Sequence, residues 1–167
     1  TPETKDVLSE ESAYVTLKLL EGVTEAGSGI RLRHVGAEKT NPVFRDIVTG
    51  YPYAFENPIA GKTGTTQNQS DGWFIGMVPN LATGVWVGGE DRATHFETIN
   101  YGQGATMALP IWASYMKACY ADSTLVVSQE PFEAPAFVSI PLDCDSLSLA
   151  RQQKSFFKDE DLSDLGF

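Results

Sequence analysis

Between Ile59 and Gly88 three strand-like stretches follow one another with very little chain between them: Ile59–Thr66, Trp73–Val78 and Thr83–Gly88. Trp73, Phe74, Ile75, Val78, Val85, Trp86 and Val87 are the aromatic and β-branched types that pack well on a pleated surface. Parallel neighbours need a crossover of a dozen or more residues, and these links are far too short to hold one. Pro79-Asn80-Leu81 suits a hairpin turn. The spacing therefore predicts a three-strand antiparallel meander.

Two helices flank this region. Ser9 can cap a helix whose first turn holds Glu10 and Glu11, where the helix dipole favours acids, and Gly22 supplies a stop. Ala13, Leu17 and Leu20 share a face, with Tyr14 beside them. The second helix is predicted over Thr106–Tyr120, with its regular part starting near Pro110, because proline is tolerated only in the first turn. Leu109, Trp112, Ala113, Met116, Cys119 and Tyr120 form one apolar stripe, which core packing explains without a cofactor. Helices segregated around an antiparallel sheet define an α+β class.

The remaining segments carry weaker patterns. Glu25–Gly29 reads as a turn, and Ile30–Val35 alternates apolar and basic residues as a strand or extended piece would. Residues 36–58 lose all periodicity and are punctuated by Pro42, Gly50, Pro52 and Pro58, so an irregular excursion is expected, its aromatics packing it onto the body. Glu90-Asp91-Arg92 and the glycines Gly102 and Gly104 read as a loop. Beyond Ala121 the chain is proline-containing and then acidic. It is expected to be extended or partly disordered, with a short helix near Ser146–Phe157. The expected organisation is a body over 1–121 and an acidic extension over 122–167.

Composition removes several functions. The 167 residues carry a net charge of -10, which opposes a nucleic-acid partner because polyanion binding rests on clustered Lys and Arg. No apolar run is long enough for a membrane-spanning helix. A membrane anchor, if there is one, is therefore expected outside this piece, and the start at Thr1 and not at methionine reads as that of a fragment. Cys119 and Cys144 lack metal-ligand spacing; they either pair or serve as two small hydrophobes. His34 and His95 form no metal pattern, and neither a metal nor a cofactor is expected.

The most chemically loaded stretch is Ile59-Ala60-Gly61-Lys62-Thr63-Gly64-Thr65-Thr66, followed by the polar run Gln67-Asn68-Gln69-Ser70-Asp71-Gly72. Gly61-Lys62-Thr63 matches the end of a phosphate loop, but the required first glycine is Glu56, Pro58 lies inside, and no helix-forming sequence follows the lysine. A nucleotide-binding protein is therefore the weakest alternative. The other chemistry is recognition of a carboxylate by a cation and hydroxyls on a strand, beside an N–H aimed at a reacting carbonyl. Alternation puts Lys62 on the opposite face from Thr63 and Thr65, and a strand edge lining a cleft would reconcile them.

Lys62-Thr63-Gly64 is the third signature of the penicillin-recognising serine enzymes. Together with Asp71, Trp73-Phe74-Ile75-Gly76, Thr83-Gly84-Val85-Trp86-Val87-Gly88 and Ala108-Leu109-Pro110-Ile111-Trp112, the chain resembles the C-terminal part of a penicillin-binding protein transpeptidase domain. It is most similar to the bifunctional class with a glycosyltransferase domain upstream, and the resemblance runs from Ser9 to about Ala121. It implies a five-stranded antiparallel sheet flanked by helices, the fold shared with serine β-lactamases. It implies that Lys62, Thr63 and Thr65 engage the C-terminal carboxylate of a D-Ala-D-Ala stem peptide or of a β-lactam. Gly64 would give the substrate room, and the Thr65 N–H would be an oxyanion-hole donor. It also implies an extracytoplasmic, membrane-anchored parent that cross-links peptidoglycan.

The family places S-x-x-K, with its nucleophile, and S-x-N upstream of K-T-G, and neither stands there in this chain. Ser114-Tyr115-Met116-Lys117 matches S-x-x-K but follows K-T-G, lies mid-helix and falls off the apolar stripe, as a solvated face would. The expectation is the substrate-holding wall of a catalytic domain whose nucleophile lies upstream, in a part of the same domain that would be its partner. The alternative is a non-catalytic module that binds peptidoglycan peptide.

Overall fold

The computed structural model describes residues 7–33 and 51–143. Helix α1 runs Glu10–Glu25, strand β1 Ala60–Thr65, β2 Asp71–Val78 and β3 Leu81–Gly88; helices α2 (Ile99–Gly102), α3 (Gly104–Met107) and α4 (Leu109–Ala121) follow. The sheet order is β1-β2-β3, antiparallel throughout, so the architecture is the α+β meander that the spacing predicts. Val78 pairs with Leu81, which leaves Pro79 and Asn80 as a two-residue turn. The Asn80 amide fixes that turn to later chain, donating to Val126 O at 2.6 Å and accepting from Ser128 N–H at 2.8 Å.

The pleat decides which side chains are buried. Gly72, Phe74, Gly76 and Val78 of β2 are buried, while Trp73 and Ile75 between them are exposed. Helix α4 covers the first face with the stripe expected for it: Leu109, Trp112, Ala113, Met116 and Cys119 are buried. Trp112 is fully enclosed, edge-on to Phe74 at 5.1 Å between ring centroids, and its indole N–H donates to Thr83 Oγ1 at 2.7 Å. Gly76 is what lets the indole sit so low. A Cβ there would lie 2.3 Å from Trp112 Cζ2, inside any real contact distance. Gly76→Ala is therefore expected to cost about 1–3 kcal/mol by overpacking, read as a lower urea midpoint, and no shift would contradict this packing.

Helix α1 starts as anticipated. Ser9 Oγ accepts the Ser12 N–H at 3.2 Å, the N-cap bond to the third helical residue. Ser9→Ala should destabilise this helix by about 1 kcal/mol, measured by thermal unfolding; an unchanged midpoint would remove the capping role. Gly22, by contrast, does not end the helix, which continues to Glu25. Gly22 is exposed and costs roughly 1 kcal/mol against alanine, but the next turn recovers it. Thr24 is fully buried with its hydroxyl 2.6 Å from Ile59 O, and buried Glu21 pairs with Lys18.

Two further expectations are corrected. Ile30–Leu32 is a 3-10 turn and not a strand. Its N–H groups bond three residues back, Leu32 to Gly29 O at 3.0 Å and Arg33 to Ile30 O at 2.9 Å, while Leu32 inserts into the core. The loop assigned around Gly102 and Gly104 holds the two short helices α2 and α3. The polar run after β1 forms a 3-10 turn over Gln67–Gln69, with Asn68 at φ 62° and Gln69 at φ 52°.

Residues 51–58 have no helix or strand, and Tyr53 and Phe55 fasten them to the core as expected of the excursion's aromatics. The helix expected at Ser146–Phe157, the greater part of the excursion, His34 and Cys144 lie outside the described residues; Cys119 is a buried free thiol. The chain divides into two compact units, Thr1–Val15 with Ala134–Phe167, and Thr16–Glu133. In the first, Ser139 donates its hydroxyl and its N–H to Glu11 Oε1, each at 2.5 Å, which holds that carboxyl below the usual carboxylate range.

Candidate functional site

Strand β1 carries the Lys62-Thr63-Gly64-Thr65 run, and only β2 pairs with it among the described residues. The Thr66 N–H donates to Asp71 O at 3.0 Å on the β2 side. Successive backbone groups of a strand point to opposite sides, so the Thr65 N–H and the Thr63 carbonyl point to the edge without a strand neighbour. The start of that edge is occupied, since Thr24 reaches Ile59 O. Further along, no strand of the described residues pairs with it.

Lys62 resolves the difficulty that alternation raised. Its register partner is the exposed Ile75, whereas Thr63 pairs with buried Phe74, so the two side chains do leave opposite faces. The lysine stem then folds around the edge, and Nζ donates to Thr63 O at 2.8 Å. The ammonium therefore stands on the same open edge as the Thr65 N–H. Among the described residues it has no carboxylate partner, and the ion pair found there is Lys18–Glu21.

Both threonine hydroxyls are held from outside the strand. Thr63 Oγ1 lies 2.6 Å from Ser28 Oγ, which belongs to the turn after α1. Thr65 Oγ1 accepts the N–H of Gly104 at 3.0 Å. Gly104 can approach because it has no side chain: a Cβ would stand 2.3 Å from Gly64 O and 2.5 Å from Trp73 O. Gly64 itself sits above Trp73, where a Cβ would meet Trp73 Cβ at 3.2 Å. Next door, Arg31 Nη1 donates to Thr106 Oγ1 at 2.9 Å. Ser28, Gly104 and Thr106 went unnoticed in the sequence because they lie 35 or more residues from their partners; a small residue in a glycine-flanked turn was the only available sign.

The loop from β1 to β2 is stiffened by Thr66, whose Oγ1 accepts the Asp71 N–H at 2.9 Å and lies 3.0 Å from Ser70 Oγ. Beside it is a cavity of about 370 Å³ lined by Ser70, Val87, Gly88, Thr94, His95 and Phe96. No cluster of metal-ligating side chains occurs among the described residues. Ser114 and Lys117 are exposed on α4, with the Lys117 ammonium donating to Pro52 O at 3.1 Å. They are remote from β1 in role and take their place as a solvated face. A second S-x-x-K, Ser155-Phe156-Phe157-Lys158, lies outside the described residues.

An open strand edge carrying a cation, two oriented hydroxyls and an outward N–H suits the binding of a carboxylate, and it does not suit a phosphate loop, which needs a helix to begin at Lys62. In sequence the chain is similar to a segment of the penicillin-binding proteins, and its α+β architecture agrees with that resemblance. Relatives include penicillin-binding protein 1A of Pseudomonas aeruginosa, 31% identical over 138 residues, and that of Aquifex aeolicus, 31% identical over 134 residues. The protein of the same name from Neisseria meningitidis is 28% identical over 110 residues. These matches cover 82%, 80% and 66% of this chain. The chain spans only 14%, 15% and 11% of the relatives' own length. No family model matches it.

Proposed function

We propose that this segment is the substrate-holding wall of a peptidoglycan D,D-transpeptidase that works through a serine acyl-enzyme. The observation that carries the reading is the convergence on the open edge of β1: the Lys62 ammonium, the Thr65 N–H, and the Thr63 and Thr65 hydroxyls beside them. A C-terminal carboxylate of a D-Ala-D-Ala stem peptide, or the carboxylate of a β-lactam, takes a charge-assisted bond from Lys62 and hydroxyl bonds from Thr63 and Thr65. The Thr65 N–H faces the reacting carbonyl and stabilises the negative charge that develops on its oxygen. Gly64 keeps the strand surface low beside the ligand.

In this reading the nucleophile and its base lie in an upstream part of the same domain, and the parent works at the extracytoplasmic face of the membrane. The 167-residue chain alone, incubated with a fluorescent penicillin and run on a denaturing gel, is expected to give no covalent band. The full-length protein containing it is expected to give one. A band from the isolated chain would place the nucleophile within it. A full-length protein that binds a D-Ala-D-Ala peptide without being labelled would instead be a non-catalytic recognition module.

A further inference from the structure

The turn after α1 brings a hydroxyl to the binding edge that neither the fold nor the relatives' names assign. Gly27 and Gly29 flank Ser28, and both lie close under the end of α1: a Cβ on Gly27 would be 2.9 Å from Val23 O, and on Gly29 3.2 Å from the same oxygen. The Gly29 N–H also bonds Val23 O at 2.9 Å. The turn is thus tied down by its backbone, and Ser28 is its only projecting side chain between the two glycines. The Ser28 hydroxyl stands 2.6 Å from Thr63 Oγ1, a short contact in which either oxygen can donate.

We propose that Ser28 is a positioning residue that fixes the direction of the Thr63 hydroxyl proton and so tunes binding of the ligand carboxylate, a proposal that rests on the carboxylate-binding reading of β1. The chemistry sets the direction. A hydroxyl has one proton to give, and an ionised carboxylate only accepts. When a carboxylate arrives, Thr63 must donate to it, so Thr63 Oγ1 must accept from Ser28. The chain of bonds becomes Ser28 O–H to Thr63 O–H to carboxylate, each bond polarising the next. Thr65 has the same arrangement, because its Oγ1 already accepts the Gly104 N–H and its proton is left for the ligand. Each threonine oxygen is therefore supplied with a donor from behind.

The test uses the full-length protein containing this segment and stopped-flow acylation by a fluorescent penicillin over a range of concentrations. Ser28→Ala is expected to raise the half-saturating concentration about three- to tenfold, the scale of one hydrogen bond, with little change in the limiting rate. Ser28→Thr, which keeps the hydroxyl, should restore the wild-type value. With the methyl ester of the same penicillin, which has no ionised carboxylate, Ser28→Ala and wild type should coincide. If Ser28→Ala slows the acid and the ester equally, Ser28 is merely structural and the proposal fails. If Ser28→Ala matches wild type while Thr63→Val is impaired, the proposal fails and the carboxylate reading stands. If Thr63→Val and Lys62→Ala are also unimpaired, the carboxylate reading itself falls.

Discussion

Trp112→Ala is expected to lower the stability of the chain by about 3–5 kcal/mol, the range for truncating a fully buried aromatic. Three losses combine. The indole's apolar surface is wholly buried, and its removal opens a cavity beneath α4 against β2. Its edge-on contact with Phe74, at 5.1 Å, disappears together with that to Phe55 at 6.2 Å. Thr83 Oγ1 also loses the indole N–H that it accepts at 2.7 Å. Gly76 makes matters worse, since its missing Cβ leaves nothing to fill the space from the sheet side. A loss of this size is a large share of the roughly 5–15 kcal/mol that holds a domain folded. Urea unfolding followed by circular dichroism measures it. Trp112→Phe, which keeps most of the packing, should recover more than half. A midpoint unchanged in Trp112→Ala would mean that α4 does not seal this face of the sheet.

The largest expected effect on function is from Lys62→Ala in the full-length protein. The ammonium is a charged donor placed on the β1 edge, and a charge-assisted bond to a carboxylate contributes about 1.5–3 kcal/mol. The second-order rate of acylation by a fluorescent penicillin should fall roughly ten- to 150-fold. Stability should hardly change, because Lys62 is exposed and bonds only its neighbour's carbonyl. Lys62→Arg is expected to recover part of the rate, since it restores charge but not the compact ammonium that turns around the strand. Wild-type kinetics in Lys62→Ala would remove this residue from ligand binding.

Much of the fold was legible because local physics and global packing agree in it. The meander follows from alternation and link length, and neither depends on distant residues. The α4 stripe is similarly direct: Leu109, Trp112, Ala113, Met116 and Cys119 recur at helical spacing and are buried, with Pro110 beside them, while Tyr120 at the end of the stripe is half-buried. Ser9 announced its helix and caps it. The misreadings occur where tertiary contacts outweigh local preference. Gly22 looked like a stop, yet burial of Glu21 and Thr24 carries α1 onward. Ile30–Val35 alternates like a strand, but among the described residues no strand pairs with Ile30–Leu32, whose backbone closes on itself as a 3-10 turn.

The candidate site divides in the same way. By itself the sequence determined its residue types, since Lys62, Thr63, Gly64 and Thr65 stand together on one predicted strand and alternation already separates the lysine from the threonines. Only the tertiary structure decided that the lysine ammonium and the Thr65 N–H come to one edge. Among the described residues no strand pairs with the second edge of β1, the lysine stem is long enough to turn around it, and the Thr65 N–H points to the same side. The same holds for the groups behind the hydroxyls. Ser28 and Gly104 stand 35 residues before Thr63 and 39 after Thr65, and a hydrogen bond between residues so distant in sequence leaves no local pattern to read.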